Sequence, residues 1–240
     1  MSLLRNILGS LIRVVFQFVS SVLPQEPASI SYLAISIIIT TIIFKLAMLP
    51  ITLKQIRSQR EMQKMQPLMQ ELQRKYKNNP EIMNKKLQEL YKEHNYNPAG
   101  GCLPLLIQFP IIIAFFGVMR EPGLYIFDNP AMAADIAKNF FWIPNIEFPD
   151  QILWGLPLIN AASQYLVARL SMQNTQQGEQ AQAQAQTQTM MLYAMPIMMF
   201  FFARTISAGV IIYWITSNII ELLLRTVFKR VYEVREEGTE

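Results

Sequence analysis

One lysine stands inside an otherwise apolar run. Residues 30–53 read ISYLAISIIITTIIFKLAMLPITL, and Lys45 is the only charge among them. A cation at the centre of a membrane helix costs about 2.5–3.5 kcal/mol on insertion scales and normally faces a partner or a water-filled cavity. Thr41 and Thr52 fall on the same helical face as Lys45. Near the end of the chain, Trp214, Ser217, Asn218, Glu221 and Arg225 recur at three- and four-residue steps, the spacing of one helix face. Asn160 and Gln164 lie one turn apart, with Ser163 between them. A cation among such polar residues attracts anions, and the polar side chains exchange hydrogen bonds. Plainer readings stand beside this one. Asn218 serves as glue between helices, Glu221 as a rim partner of Arg225, and Lys45 as a charge near the interface supported by water and lipid phosphate.

Residues for covalent or metal chemistry are sparse. His94 is the only histidine and sits among Lys and Glu, as a solvated side chain does. Cys102 is the only cysteine, so no internal disulfide forms, and the apolar run after it suits a buried structural thiol. No cluster of His, Cys, Asp or Glu has metal-ligand spacing. There is no GxGxxG, GxxxxGK[ST], GxSxG or HExxH. The expectation is a protein that is not an enzyme, with no metal and no cofactor.

The elements that must hold these residues are apolar blocks divided by charged ones. Of the 240 residues, 52% are hydrophobic and only 16% charged, against about 25% charged in soluble domains. This is the pattern of an all-α polytopic membrane protein. Residues 1–29 contain Leu4, Leu8, Leu11, Val15 and Phe18 at helical spacing, with Arg5, Arg13 and Gln17 to the other side. An amphipathic helix in the interface is expected there, with a signal peptide or anchor as the rival. Residues 30–53 form span one. Residues 54–98 are polar, basic and helical, and Asn78-Asn79-Pro80 turns them into a hairpin. Met62, Met65, Met69 and Leu72 face Leu87, Leu90 and Tyr91 across a thin seam, and Pro67 interrupts the first helix. Mobility of this hairpin is expected. Residues 99–119 follow the NPAGG break as span two, with Pro104 and Pro110. Residues 120–150 are a loop whose Phe140, Phe141 and Trp142 suit a membrane interface. Span three is 151–171, a glutamine-rich flexible loop is 172–189, spans four and five are 190–205 and 206–227, and a charged tail is 228–240. The join at 205–208 admits only a tight hairpin.

Lysine and arginine set the orientation. The 54–98 loop is strongly basic and belongs in the cytoplasm. The 120–150 loop has Arg120 and Lys138 against Glu121, Asp128, Asp135, Glu147 and Asp150, and belongs outside. The N-terminus is then outside and the C-terminus cytoplasmic; Arg169, Arg225, Lys229 and Arg230 agree, and Arg204 does not. Lys54 marks the inner edge of span one. On a continuous helix Lys45 lies roughly 13 Å deeper, beyond the ~6 Å reach of a lysine stem. Polar faces on spans one, three and five are expected to enclose one hydrated groove. Water is its expected support, with Glu221 a weak counter-charge because it sits near Arg225 and the rim.

The LPLLIQFPI run after NPAGGC, the KYK–NNPE–LYKEHNYNP hairpin, the MPIMMFFF run and AGVIIYWITSN together resemble the YidC/Oxa family of membrane protein insertases, across residues 30 to 228. The length resembles the Gram-positive type. The resemblance implies a five-span core with a groove open to the cytoplasm and to lipid but closed outside, in a bacterial plasma membrane. It places Lys45 at the groove's positive residue, usually Arg, Trp214 on a YW motif of the last span, and Gln164 in the segment lining the groove. Lysine in place of arginine loses the bidentate grip on a carboxylate. Cys102 does not match the lipoprotein cysteine of many Gram-positive members, so that processing is not expected. The implied function is to receive nascent hydrophobic segments in the groove and release them along spans three and five into lipid. The implied partners are nascent membrane proteins and lipids, with the ribosome, targeting factors and a Sec translocon at the cytoplasmic face and no specific nucleic-acid sequence. Two other classes remain. A small-solute channel or proton-coupled transporter would use Lys45 and Glu221 as a relay and open to both sides. A structural anchor that recruits partners through its hairpin would not need Lys45.

Overall fold

The structure is a computed structural model that describes residues 2–94, 96, 103–127, 130–171 and 190–237. Cys102, the NPAGG break at 97–101, the glutamine-rich loop at 172–189 and the end of the tail lie outside the described residues. The described chain is helical, with no extended strand. Its helices are α1 (Ser2–Val22), α2 (Tyr32–Ala47), α3 (Leu49–Lys75), α4 (Pro80–Glu93), α5 (Leu103–Arg120), the short α6 (Pro122–Tyr125) and α7 (Pro130–Asp135), α8 (Leu156–Ser171), α9 (Met195–Ala203) and α10 (Ala208–Glu237). A single π turn, Met190–Ala194, leads into α9.

By length and composition, Ser2–Val22 and Ala208–Phe228 are long and apolar enough to cross a membrane. The pair α2 and α3 passes that test together but bends by 63° at its break. Residues 108–120 and 192–203 are shorter apolar helices. The continuous helical rise assumed between Lys45 and Lys54 is therefore interrupted. Pro50 is the cause. It has no N–H to donate to the Leu46 carbonyl, so α2 ends, and Pro50 sits in the first turn of α3, where no such bond is needed. Ile51 and Thr52 N–H both turn to the Met48 carbonyl.

The core lies between α10 and its neighbours. α10 packs on α8, α2 and α5, while α9 packs on α8. Leu33, Ile37, Phe115, Val118, Ile146, Val210, Ile211 and Tyr213 are buried at its centre. Phe115 and Tyr213 stack with ring centroids 4.4 Å apart, which ties α5 to α10.

α1 lies against one end of this bundle. Gly9 meets the Tyr125 backbone so closely that a Cβ there would come within 2.3 Å of its carbonyl oxygen. Arg13 donates to the carbonyls of Tyr125 and Ile126, and Phe16 meets Tyr32 and Phe127 edge to face. The segment 138–150 covers the same end. Ser31 N–H donates to the Asn139 carbonyl, and the first amides of α10, Ala208 and Gly209, donate to the carbonyls of Phe148 and Ile146 at 2.8 Å. Those two amides belong to the four that a helix start leaves without partners, so the segment caps α10 as well as covering it. Asp150 turns the chain into α8 by accepting from Trp142 Nε1 (3.0 Å), Ile152 N–H (2.9 Å) and Leu156 N–H (2.8 Å).

At the other end, α3 and α4 pack side by side through a small cluster. Met65, Met69 and Leu90 are buried in it, with Met62, Leu72, Leu87, Tyr91 and Tyr96 around them. Asn79 caps α4, its side chain accepting from Ile82 N–H at 3.2 Å. Pro67 remains inside α3.

Candidate functional site

Three helices bring polar residues to the side of α10 that faces α2 and α8. On α2 the hydroxyls fold back onto their own helix: Ser36 donates to the Tyr32 carbonyl and Thr41 to the Ile37 carbonyl, both at 2.6 Å. This removes their polarity from the packing surface. Thr41 is buried, not open to a cavity. Lys45 follows one turn later, two residues before α2 ends.

The Lys45 ammonium lies 3.8 Å from Glu221 Oε2 on α10. That is an ion pair, but it is too long for a hydrogen bond. Glu221 is held on its other oxygen: Arg225 Nε and a terminal nitrogen approach Oε1 at 2.9 and 2.8 Å. Arg225 also donates to Gln59 Oε1 on α3 at 2.7 Å. The side chains of Lys45, Glu221 and Arg225 are only 14, 16 and 13% exposed. The view of Glu221 as a weak counter-charge is corrected. It bridges both cations, because the bend at Met48 carries α3 aside and leaves the end of α2 against α10.

The bend also revises the depth of Lys45. From Met48 onward α3 advances along the α2 axis by less than half its length, so Lys54 lies roughly 9 Å beyond Lys45, not 13 Å. Thr52 now belongs to α3 and no longer continues the Lys45 face of a single helix. Measured from Tyr32 at the covered end, Lys45 stands roughly 20 Å along α2.

Asn218 of α10 donates to Ser163 Oγ on α8 at 2.9 Å, and Ser163 donates to the Asn160 carbonyl at 2.8 Å. Asn160, Ser163, Ser217 and Asn218 are all buried. The Asn160 side-chain amide, Gln164 Oε1 and Thr40 Oγ1 have no hydrogen-bond partner among the described residues. Trp214 packs against the main core. The sequence-predicted residues therefore fall into two groups: Lys45 with Glu221, and Asn160, Gln164 and Asn218 around Ser163. Gln59, Thr40 and the bond from Gln108 to the Tyr213 hydroxyl (2.6 Å) complete the arrangement. Spacing alone did not flag them, since a glutamine in a basic helix or a threonine in an apolar one reads as ordinary. Among the described residues no group of three or more His, Cys, Asp or Glu could hold a metal ion.

Exposed apolar side chains lie on α2, α8 and α10, as at Leu46, Leu166 and Leu223, and on others. Phe109 and Phe116 on α5, and Ile197, Met198, Phe201 and Phe202 on α9, are exposed.

Apolar helices around a buried ion-paired cation and a set of buried amides define a multi-pass helical membrane protein. Residues 27–236 match the family model described as 60Kd inner membrane protein, and the chain belongs to that bacterial family. It is 37% identical over 207 residues to the membrane protein insertase YidC of Fusobacterium nucleatum subsp. nucleatum, covering 86% of this chain and 91% of that one. It is 35% identical over 222 residues to the membrane protein insertase YidC of Clostridium tetani, covering 92 and 91%. Among solved structures, the crystal structure of an active YidC insertase with its first transmembrane domain resolved shares the fold. The TM-score is 0.63 at 23% identity, over 91% of this chain and 45% of that chain.

Proposed function

We propose that this chain is a membrane protein insertase that receives nascent hydrophobic segments at the polar cluster of α2, α8 and α10 and releases them into the bilayer. The observation that carries the reading is a buried cation and a set of buried amides facing one side, with the opposite end covered by backbone-bonded chain. A short translocated segment faces the cost of moving polar groups through hydrocarbon. Buried polar groups without partners cost about 1–3 kcal/mol each, so the amides of Asn160 and Gln164 and the Thr40 hydroxyl favour water or the polar groups of an arriving chain. Lys45 attracts acidic residues in that chain. No covalent bond changes, so the protein is not an enzyme.

In this reading the spans are α2 with the start of α3, α5, α8, the π turn with α9, and α10. The 54–98 hairpin and the C-terminus are cytoplasmic, where basic residues meet lipid headgroups, ribosomes, targeting factors or a Sec translocon. Although α1 is long enough to cross, it is better read as interfacial. Its partners Tyr32, Gly117, Tyr125, Ile126 and Phe127 belong to the covered end of the bundle, and it carries Arg5 and Arg13. The exit remains the one expected, along spans three and five. α8 and α10 are joined by the Asn218–Ser163 bond, and nearer their other ends Leu166 and Leu170 on α8 and Leu223 and Val227 on α10 are exposed apolar side chains. A pore open to both sides is not favoured, because segment 138–150 lies across the outer ends of α2 and α10.

The test is insertion of a single-span substrate into vesicles containing the purified chain. Protease-protected substrate above the level of empty vesicles is the expected result. Equal protection in empty vesicles, or passage of small solutes through the protein, would overturn the reading.

A further inference from the structure

Resting on that reading, we infer that Glu221 is a built-in competitor for the groove cation, held in place by Arg225, and that it sets the preference for acidic over neutral substrate segments. The geometry separates the two oxygens of one carboxylate. Arg225 grips Oε1 with two nitrogens at 2.8 and 2.9 Å, while Oε2 stops 3.8 Å from Lys45 Nζ. Arg225 is itself anchored to Gln59 at 2.7 Å. Glu221 therefore neutralises Lys45 without hydrogen-bonding it, and Lys45 keeps donors for a ligand that comes nearer. An arriving Asp or Glu approaching within about 2.8 Å of the ammonium outbids a resident at 3.8 Å. A neutral Asn or Gln does so less well. Selectivity here is a difference between two affinities, and the resident carboxylate lowers both while keeping the site from binding every anion it meets. The roles divide cleanly: Lys45 touches substrate, Glu221 limits access to Lys45, and Arg225 positions Glu221.

The test compares two single-span substrates, whose translocated tails carry either two Asp or two Asn, inserted into vesicles by the full chain. The readout is the ratio of acidic to neutral insertion. Glu221→Gln is expected to raise that ratio about fivefold, because Lys45 is freed. Glu221→Asp, which keeps the charge, should leave it within about twofold of the parent. Arg225→Gln should lower it, because the released carboxylate can close on Lys45; this variant tests the idea even where Glu221→Gln folds poorly. In the Lys45→Ala background, Glu221→Gln should have no effect on the ratio. An unchanged ratio in both single variants, or an equal change with Lys45 removed, overturns the inference. Failure of the parent chain to insert either substrate would instead overturn the insertase reading on which it rests.

Discussion

Lys45→Ala should slow insertion of acidic-tailed substrates about tenfold while leaving the protein folded. The magnitude comes from the pair itself. Two unit charges 3.8 Å apart attract by about 4 kcal/mol at an effective dielectric near 20. An arriving carboxylate reaching a similar distance gains a similar gross term. Desolvation and displacement of Glu221 remove most of it, and about 1.4 kcal/mol, roughly a third, corresponds to a tenfold effect. Folding is spared because Glu221 keeps both bonds from Arg225 when Lys45 is lost; the stability change should stay within about 1 kcal/mol. Lys45→Arg keeps the charge and gains a fork of donors, so it should insert at least as well as the parent. The assay is initial-rate insertion into vesicles, with monodispersity in detergent as the folding control. Parent-level insertion of acidic substrates by the alanine variant would refute the electrostatic role. So would an equal loss for acidic and neutral tails, since that would trace to damage rather than charge.

In a Cys102→Ser background, Gln164→Cys should react with a membrane-impermeant thiol reagent from the cytoplasmic side only. Thr41→Cys, at a site 1% exposed, should react far more slowly; labelling of Gln164→Cys from both sides would mean a pore. The hairpin of α3 and α4 should exchange amide hydrogens faster than α10, because its buried cluster is small; equal protection would count against its mobility. Burial holds the hydroxyls of Tyr91 and Tyr96 above the ordinary value of 10.0. A raised folded value means this packing contributes fully below pH 10.0 and is lost as pH rises through the folded value, so far-ultraviolet helicity of the isolated pair of helices should fall only in strong alkali. Asp150→Ala strands the Trp142, Ile152 and Leu156 donors and should cost about 3 kcal/mol of stability, read as a fall in thermal midpoint.

The residues legible in the sequence are those whose meaning is local. Lys45 stands out because nothing near it shares its charge, and Ser217, Asn218, Glu221 and Arg225 share a face because a helix has 3.6 residues per turn. Asn79-Pro80 announces a cap and a helix start in two letters. Pro50 is legible by the same rule, although the apolar length of 30–53 masks it. Its consequence is large: α2 and α3 bend by 63° and Lys45 near the bend pairs with Glu221. The covering segment was not legible. Phe148 and Ile146 act through their carbonyls, which every residue has, on the amides of Ala208 and Gly209 some sixty positions away. Asp150 reads as one more acid of an outer loop, yet it accepts three hydrogen bonds.

That contrast bears on the groove proposed above, which would be open at one end and closed at the other on the same helices. Closure uses backbone groups, which hydrogen-bond whatever the side chain and hold the ends of α2 and α10 without placing a charge in the bilayer. Opening uses side chains that are only partly satisfied: an ammonium 3.8 Å from its counter-ion and amides buried without partners among the described residues. Each would be better satisfied by a neighbour at hydrogen-bond distance. Fully satisfied, the cluster would rigidify and offer an arriving chain nothing to bind. In the proposed reading, the incomplete pairing of Lys45 lets the helices pack stably and still exchange partners with a passing segment.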